Sequence, residues 1–378
     1  MSIVDDGSVL IVGAGASVDF WMPLGGQLVT DVADLIDGNL AFPGNEKRGF
    51  AGIHFEELVS SIVQSHDASS FLVRPLKAAL SAKHSPLAFA ERSAPAVEDV
   101  KQLYALSDRL RNQTAETIDA FIAENPSFGD LTKLVVGAIM VSRAYELRGR
   151  VAVLRQMAAR HVNCDARNWV HLLINICRHG LPLDRVVSRK VRIINFNYDP
   201  FLEHVLREQW NNTEKQLWDW DTLFEIVHPH GRFPDFPVSV PDNGLGDLAL
   251  KCGEAICVVN EENTPAQINA ARETVQEWIT EAKRIYAVGF AFARPNCKLL
   301  GLDRIAVSDP PNEIRMTKIV FSNYAGDVGV KLAAERYKVG RDDDVRQRVS
   351  VKEVAGTPDR PLTVSAFIKA GYLGDLPG

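Results

Sequence analysis

The stretch Val9-Leu10-Ile11-Val12-Gly13-Ala14-Gly15-Ala16-Ser17 constrains this chain more than any other. A short apolar, β-branched run of this kind reads as a strand of a parallel sheet, buried on both faces. It breaks into two glycines separated by one alanine, and helical periodicity returns over residues 27–36. Strand, glycine turn and helix in that order form the usual cradle for a nucleotide diphosphate. Glycine lets backbone N–H groups come close, and a helix start adds positive dipole. The pattern stops short of a dehydrogenase fingerprint. Its third glycine would fall at Val18, and the stretch 28–37 reads as helix, which leaves Asp34 and Asp37 poorly placed to bind a ribose. By itself the turn also allows a structural role with no ligand.

Later strands are read at 191–196, 224–228, 255–260, 284–290 and 317–322. Helices at 200–209, 265–282, 296–305 and 328–337 separate them, and 38–50 and 233–247 read as loops. Strands alternating with helices predict an α/β fold, a Rossmann-like parallel sheet with helices on both faces. Between residues 53 and 180 strand-like alternation nearly vanishes. Helical spacing takes over at 55–63, 97–110, 115–123, 131–147, 151–161 and 169–177, with Thr114 as a helix cap. The expected organisation is a core of 1–50 and 181–340, a large α-helical insertion at 51–180, and a C-terminal extension, 341–378, to which no role is assigned.

Composition narrows the class. The 378 residues are 46% hydrophobic and 24% charged, with a net charge of −6, an ordinary globular balance with enough apolar content for a sizeable core. The acidic excess argues against direct nucleic-acid binding, which draws on Lys and Arg. The five cysteines include no C-x-x-C pair, so a structural zinc site is not expected and reduced thiols are. Asp5 and Asp6 stand where a secretory leader would carry basic residues, and no apolar run approaches about 18 residues. The expectation is a cytoplasmic chain that does not enter a membrane.

In a parallel sheet, ligands bind where the strands end. Four predicted ends hold suggestive residues: Gly13-Ala14-Gly15-Ala16-Ser17, Asn195-Phe196-Asn197-Tyr198-Asp199, His228-Pro229-His230-Gly231-Arg232 and Gly289-Phe290-Ala291-Phe292. In order and spacing these segments resemble the motifs of the sirtuin superfamily. They are similar in particular to those of bacterial sirtuin-like NAD-degrading proteins of antiphage defence, whose motifs run GAG-[AS]-S, T-x-N-Y-D, H-x-HG and G-[YF]-S-F. The resemblance spans residues 8 to about 325, with a helical block between the first and second motifs in both.

The resemblance implies a sirtuin-type fold and an NAD glycohydrolase, with NAD as substrate and no metal. In such a reaction nicotinamide leaves as a neutral base while positive charge builds on the ribose. The resemblance assigns Asn197 to orienting ribose and water, and His230 to the base, a role that an unperturbed pKa of about 6.5 suits. Gly13, Ala14, Gly15 and Ser17 would hold the diphosphate and Asp199 would lie near the nicotinamide or ribose. Gly289, Phe290 and Asn323 would serve the adenosine end. Control by homo-oligomerisation or by a partner, such as a HerA-type ATPase or an Argonaute-like protein, is implied as well. Two departures stand out: Ala291 replaces a serine frequent in the late motif, and the four-cysteine module of the protein-deacylating members is missing. Deacylation or ADP-ribosyl transfer therefore ranks below hydrolysis, and a module that binds NAD or ADP-ribose without turnover is the main alternative. The residues by themselves also allow plainer roles. Asn197 and Asp199 suit a cap on the helix starting near Pro200, His230 suits a turn, and His228 suits packing or hydrogen bonding beneath a site.

Overall fold

The structure is a computed structural model that describes residues 7–17, 22–36, 94–113, 117–141, 144, 168–180, 190–211, 220–236, 244–259, 261, 264–305, 317–323, 326–338, 349–357 and 363–370. The helices expected at 55–63 and 151–161, the loop at 38–50 and the cap at Thr114 lie outside these residues.

The strands β1 (Ser8–Val12), β2 (Val191–Asn195), β3 (Phe224–Val227), β4 (Arg284–Val288), β5 (Thr317–Asn323) and β6 (Val349–Ala355) form one sheet. All pairings are parallel, in the order β3-β2-β1-β4-β5-β6. The fold is α/β and Rossmann-like. Every residue of β1 is buried, and Val12 stands opposite both Asn195 of β2 and Val288 of β4. A strand enclosed on both edges and both faces must be a continuous apolar run, which is why Val9 to Val12 carry no polar side chain. The chain moves outward from β1 through β2 to β3, then returns to the other side of β1 and continues through β4, β5 and β6. Right-handed crossovers put the helices of the two halves on opposite faces. They also leave a switch point between the carboxyl ends of β1 and β4, where such sheets take ligands.

The chain divides into two compact units. One comprises Met1–Trp21, Val162–Gly231 and Glu262–Gly378 and holds the whole sheet. The other comprises Met22–His161 and Arg232–Glu261, and its described elements are helical. This differs from the expected partition. The helix Gly25–Leu35 groups with the helical unit because it buries Leu28, Val29, Val32 and Leu35 and packs against the helices Ala94–Arg111 and Ile118–Glu124. The helix Asn168–Gly180 groups with the sheet unit, where it packs on Phe201–Asn211 and Val364–Lys369. Thr117 caps the helix Ile118–Glu124, its hydroxyl oxygen accepting from the Ala120 amide at 3.2 Å.

Two stretches depart from the sequence reading. Residues 255–259 are not a strand: the amides of Ala255 and Ile256 donate back to the carbonyls of Lys251 and Gly253, so the segment closes the helix Gly244–Glu254. A short apolar run satisfies a buried helix end as well as a strand. Gly244 and Gly246, after Pro234, Pro237 and Pro241, make the start of that helix read as loop. The extension beyond residue 340 supplies β6, which pairs with β5 from Val349 to Ala355. Its Lys352 and Glu353 interrupt the alternation, as suits an edge strand that has a neighbour on one side only.

Candidate active site at the strand ends

The carboxyl ends of β1 and β4 meet backbone to backbone. The Gly13 amide donates to the Val288 carbonyl at 2.9 Å and the Gly15 amide to the Gly289 carbonyl at 3.0 Å. A side chain on any of the three glycines would collide with the facing main chain. A Cβ on Gly13 would lie 2.4 Å from the Gly289 oxygen, and one on Gly289 would lie 2.2 Å from the Ala16 nitrogen. Gly289 also holds φ at +61°, a conformation that costs an L-residue about 1–2 kcal/mol. These glycines are thus explained by close packing, and the amides of Gly13 and Gly15 are engaged within the protein. Ala14–Ser17 forms a single helical turn directly after them. Phe290, at 4% exposure, turns inward from the same junction.

The ends of β2 and β3 are built from polar groups. Ser17 donates its hydroxyl to Asp199 Oδ2 at 2.9 Å and so ties the β1 turn to the β2 loop. Asp199 Oδ1 accepts from the Phe201 amide at 3.2 Å, which is the helix cap that the sequence allowed. Burial pushes the Asp199 carboxyl up from 3.8 to about 6, against the lowering effect of the Ser17 and Phe201 hydrogen bonds. Asn197 is pinned on both sides of its backbone. Its amide donates to Asn195 Oδ1 at 3.0 Å, and its carbonyl accepts from His228 Nδ1 at 3.1 Å. His228 Nε2 lies 2.6 Å from Glu203 Oε1, on the first turn of the helix Phe201–Asn211.

The Asn197 side chain is different: Oδ1 is buried and meets no hydrogen-bond donor among the described residues. An unsatisfied buried acceptor costs about 1–3 kcal/mol unless a donor from beyond the described residues, such as a water or a ligand hydroxyl, meets it. His230 is 1% exposed and lies in the turn closed by the Gly231 amide on the His228 carbonyl, where Gly231 has φ of +88°. The Arg272 side chain holds that turn through the Pro229 carbonyl at 2.9 Å. The His230 ring meets Phe196 edge-on at 5.1 Å between centroids, and Tyr198 lies 6.2 Å away. Phe196 in turn packs on Phe290 at 5.0 Å. Phe196 and Tyr198, the chain neighbours of Asn197, thus both meet the His230 ring, Phe196 also reaches Phe290, and Ser17 is bonded to Asp199.

Asn323, at the end of β5, has a different setting. Its Nδ2 donates to the Asp327 carbonyl and to Glu353 Oε1, both at 2.8 Å, and its Oδ1 accepts from the Asp327 amide at 2.9 Å. The side chain fastens the β5 loop to β6. Ser322 beside it accepts from the Gly289 amide at 3.1 Å. Asp19 and Trp21, which follow the turn in sequence and are candidates to line a pocket there, lie outside the described residues.

Sequence reasoning missed Glu203 and Arg272. Neither belongs to a motif, and both act from helices; the position of Glu203 four residues after Asp199 was the available hint. Phe292, the last residue of the late motif, is buried with φ of +56° and meets both Phe290 and Phe321 edge-on. Cys177, Cys252, Cys257 and Cys297 are buried and form no disulfide, and burial pushes the Cys297 thiol up to about 12. That suits packing, not nucleophilic attack. Among the described residues no group of His, Cys, Asp and Glu is arranged to hold a metal, and no helix is long and apolar enough to cross a membrane. Compared with known proteins, the chain matches no family model and no curated protein.

Proposed function

We propose that this chain hydrolyses NAD at the bond between nicotinamide and ribose. The observation that carries the reading is the buried Oδ1 of Asn197, without a donor among the described residues, on a doubly anchored backbone between Phe196 and Tyr198, both of which meet the His230 ring. A lone acceptor of this kind suits a hydroxyl donor, from the ribose or from the attacking water. His230 takes the proton of that water as the C–O bond forms and the C–N bond breaks. Nicotinamide leaves with the bonding electron pair, and ADP-ribose and one proton complete the balance. Asp199, beside the site and close to neutrality in its titration, supplies negative charge against the cationic ribose once ionised. The turn from Ala14 to Ser17 would hold the diphosphate, with Gly13 and Gly15 shaping it. An enzyme that depletes NAD must be silent at rest, so control by self-assembly or by a partner protein, as in antiphage defence, belongs to the same reading.

The test is nicotinamide release from NAD by the purified chain, alone and with candidate partners, followed by chromatography. Release is expected, with a His230→Ala loss in kcat of about 100-fold or more. Tight NAD binding with no release in any condition would instead favour a binding module. Transfer of ADP-ribose to protein would favour a transferase.

A further inference from the structure

We infer that Glu203 and His228 form a positioning pair that holds Asn197 in its working orientation, an inference that rests on the NAD-cleaving reading. His228 stands just past β3 and Glu203 on the helix after β2, so neither shares a backbone segment with Asn197. The contacts fix the protonation. A carbonyl oxygen only accepts, so His228 Nδ1 must carry a hydrogen to bond Asn197 at 3.1 Å. The contact of Nε2 with Glu203 at 2.6 Å needs a second proton, on the ring or on the carboxyl. With side chains only 9% and 6% exposed, the pair has little water to replace either bond. Both bonds persist only while the pair keeps both protons.

The consequence reaches Asn197 through its carbonyl. With the Asn195 bond on the amide side, the His228 bond fixes the peptide planes on both sides of Cα, and so the direction of the Cα–Cβ bond from which the side-chain amide is carried. Neither Glu203 nor His228 needs to touch the substrate. Their loss displaces a reacting group, and misplacement of that order costs about 10- to 100-fold in rate with little change in binding.

The experiment uses the full chain and two readouts. Kinetics of nicotinamide release are measured for the native protein, His228→Ala, His228→Asn, Glu203→Ala and Glu203→Gln. Proton–nitrogen spectra of the histidine rings in labelled protein report where the His228 protons sit. His228→Ala and Glu203→Ala are expected to lower kcat about 10- to 100-fold at a KM within about twofold of native. His228→Asn restores an amide donor near the Nδ1 position and recovers most of the rate. Glu203→Gln does so by donating to an unprotonated Nε2, which keeps the hydrogen on Nδ1. A folded His228→Ala protein with native kcat would overturn the inference, as would failure of both conservative variants to recover. If the native protein releases no nicotinamide, the proposed function fails, and the ring spectra then decide alone. A hydrogen on Nδ1 in the native and Glu203→Gln proteins, lost in Glu203→Ala, supports the pair; an Nδ1 without hydrogen in the native protein overturns it.

Discussion

The ends of β1 and β4 and the ends of β2 and β3 lie in the same sheet, yet they are made in opposite ways. At the first pair, glycines bring main chain against main chain, and each has a steric reason to be glycine. At the second, buried polar side chains are tied by hydrogen bonds, while Asn197 Oδ1 meets no donor among the described residues. A motif residue explained by packing says little about a ligand. A motif residue that carries an uncompensated cost says more. The difference moves the weight of the functional reading from the glycine turn to Asn197 and His230.

The comparison can be broken most forcefully at the glycines. Gly289→Ala is expected to destabilise the protein by roughly 3 kcal/mol or more, since the new carbon meets backbone atoms and the residue keeps a positive φ. Chemical denaturation measures this, and a loss under about 1 kcal/mol would show that the junction is looser than it looks.

The polar side is sharpened by pH. The Asp199 carboxyl titrates near 6 when folded and near its ordinary 3.8 when unfolded. Folding therefore favours its protonated form: the penalty is absent below about pH 4, grows through pH 6 and is complete above, on the order of 3 kcal/mol. Asp199→Asn should remove that slope, so the difference in stability between variant and native protein shifts in the variant's favour from pH 4 to pH 7. Parallel pH profiles of the two proteins would contradict the burial of a charge there.

A smaller effect is expected at Asn323, whose side chain makes two hydrogen bonds to the Asp327 backbone and one to Glu353 of β6. Asn323→Ala should cost about 2 kcal/mol in thermal or chemical unfolding. If NAD affinity falls while stability holds, the residue serves the ligand and not the sheet edge.

β1, β2, β4 and β5 and their direction could be read from the chain because enclosed strands leave mainly apolar runs, as in Val9 to Val12, and β3, at one edge, because Phe224, Ile226 and Val227 keep it apolar. β6 could not: at an edge, Lys352 and Glu353 are tolerated and the pattern fades. The false strand at 255–260 arose because an apolar run has no period to separate it from a buried helix end. Within the site, Asn197, Asp199 and His230 were visible because strand ends concentrate polar residues in short segments. Their spatial partners Glu203, His228 and Arg272 were legible only in part. His228 was expected beneath the site, whereas Glu203 and Arg272 sit on helix faces where charged residues are ordinary.

The central claim is that Asn197 is retained for chemistry and not for folding. Turnover and stability measured side by side on Asn197→Ala test it most directly. Nicotinamide release is expected to fall about 100-fold while unfolding free energy stays within about 1 kcal/mol of native or rises, because the lost oxygen has no donor among the described residues. Unchanged turnover, or a stability loss of several kcal/mol, would contradict it.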